Sequence, residues 1–196
     1  KMSFKLLHEQ EEPGAIAFLG QSGGITSSFC ALATTRRIWL NKVVSYGNQI
    51  DLRLEDYIEY LADDDKIRLI ACYVEDIKDI DRFLKTLKRT TAKKPVMILK
   101  GGKTEEGSKA AASQTGAMAS NYTIWAAAVK QHGGLLVDDF DQLMNLAMLG
   151  TAKKVPGGRR VGFLGAGGGV SVLFTDLAVA SGCEVPELGP AAQNMN

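Results

Sequence analysis

Short apolar runs alternate with longer amphipathic segments along most of the chain. The first run, Gly14–Leu19, is continuous and leads into glycine and serine, as a buried parallel strand does. Further strands are predicted at 43–46, 69–74, 95–99 and 135–137, and helices at about 24–37, 54–61, 79–90, 122–131 and 139–149. In the helix at 79–90, apolar residues recur at helical spacing, which indicates a face turned to the core.

Alternating strands and helices are typical of βαβ units and a parallel sheet. We therefore predict an α/β fold, a doubly wound five-stranded parallel sheet of the flavodoxin-like type, over residues 13–150. Between the fourth strand and the next helix, the glycine- and lysine-rich stretch 100–114 is predicted to be a long loop, a feature that is often functional or mobile.

The remaining segments are predicted from composition. Residues 1–12 are interpreted as an N-terminal extension, and 151–160, with lysine, proline and glycine, as a linker. Residues 161–196 are expected to be the truncated start of a second flavodoxin-like domain, with a strand at 161–164 and a helix at about 170–180. On this interpretation the chain is a piece of a longer polypeptide.

Composition excludes several functional classes. With 196 residues, 45% hydrophobic and 23% charged, the chain has an ordinary globular composition. A net charge of +1 provides no field that attracts nucleic acid, and no apolar run reaches the roughly 20 residues that span a bilayer. The first residues lack the apolar core of a signal peptide. We therefore expect a cytoplasmic protein with neither nucleic acid nor membrane as partner.

Cysteine and histidine are too sparse for a metal site or a disulfide framework. Cys30, Cys72 and Cys183 are widely spaced without a C-x-x-C pair, so buried thiols in a reducing compartment are expected. The chain has two histidines, His8 and His132. His132 precedes two glycines at the end of a predicted helix, where a capping role is expected.

Two glycine-rich turns follow predicted strands. The turn at 20–24, Gly-Gln-Ser-Gly-Gly, leads into a helix, so it predicts either an anion site at the helix N-terminus or a tight connector with Ser22 as the N-cap. The turn at 165–169 lacks dinucleotide-binding spacing, because Val170 stands where the third glycine would fall. No Walker A motif occurs in the sequence.

Lys100 and Lys103 come directly after the fourth strand, at the edge where open α/β sheets bind their ligands. Their charge could offset that of a phosphate. Alternatively they are solvated lysines of a surface loop.

Five motifs in order resemble one family. They are Gly-Gln-Ser-Gly-Gly at 20–24, Ser-Tyr-Gly-Asn-Gln-Ile-Asp-Leu at 45–52, Tyr-Val-Glu at 73–75, Pro-Val-Met-Ile-Leu-Lys-Gly-Gly-Lys-Thr at 95–104 and Ser-Gln-Thr-Gly at 113–116. Over about 13–150 they resemble the second domain of the NDP-forming acyl-CoA synthetases, which are related to succinyl-CoA synthetase. Residues 161–190 resemble the start of the flavodoxin-like domain that follows there.

The resemblance implies an activity and a set of partners. Members convert acyl-CoA, phosphate and ADP or GDP into the free acid, CoA and a nucleoside triphosphate, through an acyl phosphate and a phosphohistidine. The full enzyme would use CoA, phosphate and ADP/ATP with Mg²⁺. Its other parts would be a CoA-binding Rossmann domain and an ATP-grasp domain or subunit, and a homo-oligomer is one assembly that the resemblance allows. No cofactor is expected to be bound by this fragment itself.

The resemblance also implies residue roles. Gln114 stands at the phosphohistidine position, and Glu75 would orient that side chain, unless it is a helix-capping carboxylate. The phosphate-binding residues would be Gln21, Ser22, Gly23, Gly24, Ser113, Thr115 and Gly116, with Gly47, Asn48 and Lys100 as nearby contacts.

Gln114 departs from the family pattern. A neutral imidazole has a free lone pair that can attack an acyl phosphate, whereas an amide nitrogen has none. The chain is therefore predicted to be inactive or altered, through an engineered or a natural substitution. An alternative is a non-catalytic regulatory module that senses acyl-CoA or phosphate, and a weaker one is a flavin or nucleotide binder.

Overall fold

The computed structural model describes residues 13–115, 121–152, 154, 156–165, 167–187 and 189. The side chains of residues 112, 114 and 115 are outside that description. The chain divides into two compact units, Lys1–Ala152 and Lys153–Asn196.

The first unit contains five strands that all run parallel, in the order β2-β1-β3-β4-β5. In chain order its elements are β1 Ile16–Gly20, α1 Gly23–Thr35, β2 Leu40–Ser45, α2 Leu54–Ala62, β3 Leu69–Val74, α3 Ile80–Thr91, β4 Val96–Lys100, α4 Glu105–Thr115, α5 Tyr122–Gln131, β5 Leu135–Val137 and α6 Phe140–Gly150. This order is that of a flavodoxin-like doubly wound sheet, so the predicted fold class is confirmed.

Two apolar clusters lie on opposite faces of the sheet. β1 shows why: Ala17 and Leu19 belong to one cluster, and Ile16 and Phe18 to the other, because successive strand side chains alternate between faces. Helices α2, α3 and α5 pack on the first face, and α1 and α6 on the second. All of β1 and β4 is buried, as expected for central strands covered on both sides.

Polar side chains fix where several helices begin. Ser22, Asp79, Asn121 and Asp139 are the N-caps of α1, α3, α5 and α6, and each accepts a hydrogen bond from a backbone N–H of the first turn. The predicted capping role of Ser22 is therefore confirmed. At the other end of α5, His132 is the C-cap residue, as predicted.

The predicted loop at 100–114 is wrong, because most of that stretch is the helix α4. Its sequence, Glu-Glu-Gly-Ser-Lys-Ala-Ala-Ala-Ser-Gln-Thr, is rich in strong helix formers but carries no apolar stripe, so hydrophobic periodicity gave no signal. Thr104 begins the helix, since its Oγ1 accepts a hydrogen bond from the Gly107 N–H at 3.1 Å.

The second unit contains the helix α7, Gly168–Ala180, close to its predicted position. The predicted strand at 161–164 is not formed. A single parallel bridge between Arg160 and Glu184 takes its place, with the Val161 N–H donating to the Glu184 carbonyl at 2.9 Å. A regular strand needs a paired neighbour along its length, and the described part of this unit supplies one residue pair.

The expectation that the thiols are buried holds for Cys72 alone among the three cysteines. Cys72 is buried, whereas Cys30 and Cys183 are partly exposed, and all three thiols are free. None of the described helices combines the length and the apolar character needed to cross a bilayer.

Candidate functional site

The strand order places a ligand-binding position between the carboxyl ends of β1 and β3. β1 pairs with β2 on one side and β3 on the other, so the connections that leave β1 and β3 go to opposite faces of the sheet. In open α/β sheets the crevice outside such a switch point is where ligands bind. Because Gly20 is in register with Tyr73, Gln21 and Glu75 emerge side by side there.

The N-terminus of α1 opens at this edge. Ser22 caps it, with Oγ accepting from the Ile25 N–H at 3.4 Å, and Gly23 and Gly24 form the first turn. A helix of 13 residues ends in unpaired N–H groups and a partial positive charge, which together favour an anion. The two predictions for this turn, a tight connector capped by Ser22 and an anion site, are thus compatible, because the cap leaves other N–H groups of the first turn unpaired.

Gln21 holds the β3–α3 connection in place. Its side chain is 4% exposed, and its Oε1 accepts hydrogen bonds from the backbone N–H groups of Glu75 at 2.7 Å and Asp76 at 2.9 Å. The Gln21 N–H in turn donates to the Tyr73 carbonyl at 3.1 Å. The side-chain oxygen of Gln21 therefore holds the backbone of Glu75 and Asp76 in position. No sequence motif predicted this role.

Lys100 reaches the same connection from the other side. It is buried, its Nζ donates to the Glu75 carbonyl oxygen at 2.8 Å and to the Gly101 carbonyl oxygen, and it lies 5.6 Å from the centre of the Trp125 ring. Burial lowers the pKa of Lys100, against the opposing charges of Asp76 and Glu75. Lys100 is thus not a solvated surface lysine.

Lys103 is held at the neighbouring β5–α6 connection. Its Nζ donates to the carbonyl oxygen of Asp138 at 3.0 Å and to the Asp138 carboxylate at 3.2 Å, and it lies 5.9 Å from the centre of the Tyr122 ring. Both lysines therefore organise backbone at the carboxyl edge of the sheet.

Two tyrosines surround the Glu75 position, and sequence reasoning missed both. The Tyr46 hydroxyl donates to the Tyr73 carbonyl at 3.1 Å. The pKa of Tyr73 is raised mainly by burial. The charge of Glu75 and a hydrogen bond to its carboxylate raise it further. Glu75 does not cap α3, whose N-cap is Asp79, so the helix-capping interpretation of Glu75 is wrong.

The β2–α2 connection lies beside these groups. Gly47 adopts a φ of 55°, a left-handed conformation that favours glycine, and Asn48 is exposed. Gln49 makes the contacts: its Nε2 donates to the Asp76 carbonyl at 3.2 Å, and its Oε1 accepts from the Leu54 N–H at 3.3 Å. Gln49 is buried and lies in the same motif as the two predicted residues, but only its contacts reveal this role.

Glu55, in the first turn of α2, is fully buried, and neither carboxylate oxygen has a hydrogen-bond partner in another described residue. Burial raises the pKa of Glu55, while its own backbone N–H, Arg82 and Arg53 act in the opposite direction. Its charge is among those that raise the pKa of the buried Tyr46. No pattern in the sequence indicates a buried carboxylate at this position.

A cleft of about 300 Å³ adjoins Glu75. Its lining is mainly apolar and includes Ile80, Ile124 and Trp125, together with Lys100. The Trp125 Nε1 is buried without a hydrogen-bond partner among the described residues.

The structure brings only part of the predicted set together. Gln21, Ser22, Gly23, Gly24, Glu75 and Lys100 meet at the β1/β3 edge. Ser113 lies near the end of α4 with its Oγ donating to the Ala110 carbonyl at 2.8 Å. The side chains of Gln114 and Thr115, and Gly116 as a whole, lie outside the described residues. No group of three or more His, Cys, Asp or Glu side chains in the described part of the chain could hold a metal ion.

Fold and site together define a flavodoxin-like α/β domain with an anion-compatible edge at its switch point. The family model for the succinyl-CoA ligase-like flavodoxin domain matches residues 13–149, and the chain belongs to that family.

Relatives of the chain are ADP-forming ligases. It is 41% identical over 163 residues to the alpha subunit of an ADP-forming acetate–CoA ligase II of Pyrococcus furiosus, covering 83% of this chain and 35% of the subunit. It is 36% identical over 166 residues to an ADP-forming acetate–CoA ligase of Methanocaldococcus jannaschii, covering 85% of this chain and 23% of that protein. The chain thus spans about a third or less of these relatives.

A solved structure has the same fold. It is acetyl-coenzyme A synthetase 1 of Candidatus Korarchaeum cryptofilum in complex with phosphate and ADP, which matches with a TM-score of 0.79 at 29% identity. The match covers 90% of this chain and 39% of that one. The match agrees with the family membership that the sequence motifs predicted.

Proposed function

We propose that this chain carries the phosphoryl-relay site of an ADP-forming acid–CoA ligase. The observation that supports it is the meeting of the α1 N-terminus with Glu75 at the β1/β3 edge, joined by the Gln21 side chain. The helix end offers unpaired N–H groups to phosphoryl oxygens, through Ser22, Gly23 and Gly24, and the carboxylate can orient a nucleophile next to them.

The proposed reaction has three balanced steps. A phosphate oxygen attacks the thioester carbonyl, the C–S bond breaks, and CoA leaves with an acyl phosphate formed. A histidine nitrogen then attacks phosphorus, the P–O bond to the carboxyl group breaks, and the free acid leaves. Finally, a β-phosphate oxygen of ADP attacks phosphorus and the P–N bond breaks, giving ATP and restoring the histidine.

Position 114 is where we place the histidine of this scheme, with Ser113, Thr115 and Gly116 as its flanks. In this chain the position holds glutamine, whose amide nitrogen has no free lone pair. We infer that the copy with Gln114 cannot accept the phosphoryl group, whereas its anion edge is retained.

We propose that the other components of the reaction bind to further parts of the enzyme. We assign CoA to a Rossmann domain, and ADP/ATP with Mg²⁺ to an ATP-grasp domain or subunit, in a cytoplasmic enzyme. Residues 161–196 are proposed to begin a further flavodoxin-like domain. The names of relatives refer to acetate, 4-hydroxybutyrate and trans-feruloyl-CoA, so we propose that the substrate is a carboxylic acid.

The test is phosphoryl transfer in the complete enzyme, as found and with Gln114→His, using radiolabelled phosphate with acyl-CoA and then ADP. We expect only the histidine version to take up an acid-labile, base-stable label and to pass it to ADP. If the glutamine version is labelled equally, position 114 is not the phosphoryl acceptor.

A second candidate is a non-catalytic module that senses acyl-CoA or phosphate. The combination of Gln114 with an intact α1 N-terminus favours it. In that case the complete protein binds acyl-CoA or phosphate in a calorimeter, and the Gln114→His protein still shows no ligase activity with a panel of acids.

A further inference from the structure

The Glu75 backbone is fixed from two directions. Its N–H donates to the Gln21 Oε1 at 2.7 Å, and its carbonyl oxygen accepts from the Lys100 Nζ at 2.8 Å. Both Gln21 and Lys100 are buried, at 4% and 7% exposure. These contacts leave the backbone little freedom, but they do not determine where the carboxylate points.

The Tyr73 hydroxyl lies in the space into which the Glu75 side chain extends. A Cβ added to Gly101 would stand 2.5 Å from the Tyr73 Oη and 3.3 Å from the Glu75 Cγ, so the two side chains pack on the same glycine. The glycine therefore leaves room for both.

Tyr73 itself is held rigidly. Its carbonyl accepts hydrogen bonds from the Gln21 N–H and from the Tyr46 hydroxyl, each at 3.1 Å, and its backbone pairs with β1 and β4. Its side chain packs against the apolar cluster on the α1/α6 face, which restricts where the hydroxyl lies. Because burial and the nearby Glu75 raise its pKa, it remains a protonated donor at working pH.

We propose that Tyr73 is a positioning residue whose hydroxyl orients the Glu75 carboxylate at the β1/β3 switch point. Donation from the phenol to the carboxylate selects one side-chain orientation and leaves the remaining lone pairs free to accept from a nucleophile. The catalytic consequence rests on the proposed phosphoryl relay. The orientation of Glu75 by Tyr73 does not.

The kinetic test is a double-mutant cycle in the complete enzyme carrying Gln114→His. Tyr73→Phe is expected to slow single-turnover histidine phosphorylation about 10- to 100-fold, the range for a hydrogen bond to a charged group, with KM for phosphate nearly unchanged. Adding Tyr73→Phe to Glu75→Gln should cost little more than Glu75→Gln alone. The proposal would be overturned if the double variant lost rate by the product of the two single losses. Tyr60→Phe, a change at a residue 67% exposed, is the control and should leave the rate unchanged.

The structural test needs no activity. In a crystal structure of the Tyr73→Phe protein that keeps Gln114, the Glu75 carboxylate should leave its place while the 75–76 backbone stays on Gln21. A carboxylate that remains in place overturns the positioning role. If Gln114→His takes up no phosphate, the relay proposal fails by itself, and this second measurement still decides the role of Tyr73.

Discussion

The side-chain oxygen of Gln21 accepts a hydrogen bond from the backbone N–H of Glu75 at 2.7 Å, across 54 residues of sequence. This contact joins the connection after β1 to the connection after β3. It ties the anion-compatible end of α1 to the backbone of Glu75 at the switch point of the sheet.

Replacing Gln21 with alanine should loosen that unit. The change leaves the N–H groups of Glu75 and Asp76 without their acceptor, and a buried donor left unpaired costs roughly 1–3 kcal/mol. We expect urea unfolding to show a loss of that size, together with faster hydrogen exchange at residues 75 and 76. Gln131→Ala, an exposed change at the end of α5, should alter the free energy of unfolding by less than about 0.5 kcal/mol. Equal losses in both variants would show that the Gln21 contact is energetically unimportant.

Gly24→Ala tests whether the capped N-terminus of α1 also binds phosphate. A Cβ at Gly24 meets only the Ser22 Oγ, at 3.9 Å, so alanine should stabilise the helix by about 0.5–1 kcal/mol. If phosphoryl oxygens approach this turn, the same methyl group should weaken phosphate binding about tenfold. Calorimetric titration with phosphate on the complete enzyme measures the second effect. The Ser28→Ala variant, on an exposed part of the same helix, should bind phosphate as before.

Gly101→Ala should disturb the site through sterics alone. The new Cβ would lie 2.5 Å from the Tyr73 hydroxyl oxygen, which forces the tyrosine ring to shift. We expect a loss of about 1–3 kcal/mol in the free energy of unfolding and a lower rate of histidine phosphorylation in the Gln114→His enzyme. Gly158→Ala, where a Cβ meets no described atom within 4 Å, is the matched control and should be neutral in both assays.

The elements that the sequence predicted well are those with an apolar signature. β1 and β3 are short runs buried on both faces, and α3 carries its apolar residues at helical spacing. The helix α4 was missed because Ala, Glu and Lys favour a helix through propensity, without any apolar stripe. The prediction of a strand at 161–164 was wrong for the opposite reason. The apolar run is present, but an apolar run becomes a strand only when another strand pairs with it.

The site was only partly accessible to sequence reasoning. Glycine turns and residues after strands are local patterns, so the β1/β3 edge could be anticipated. The roles of Gln21, Gln49 and Tyr73 arise from contacts between connections that are distant in the sequence, and no local pattern encodes them. The hydrogen bond from Lys100 to the Glu75 carbonyl was equally unpredictable, because composition alone does not distinguish a buried lysine from a solvated one.

Glu55 gives the chain a pH dependence of stability whose sign can be worked out. Burial holds the folded-state pKa of Glu55 above its ordinary value of 4.5, so the native protein keeps this proton to a higher pH than the unfolded chain does. Stability from this group is therefore fully present below the unfolded pKa and is lost as the pH rises through the folded pKa, by roughly 1.4 kcal/mol for each pH unit between the two values.

Glu55→Gln removes the titrating group and isolates this effect. Relative to the parent, the variant should gain stability as the pH is raised from 4 to 8, as measured by urea unfolding across that range. Glu59→Gln on the same helix should behave in the opposite sense, because a hydrogen bond and the charge of Arg89 hold the pKa of Glu59 below its ordinary value. Since the Glu55 oxygens have no partner in another described residue, a parallel pH dependence of the parent and Glu55→Gln would mean that solvent reaches this carboxylate.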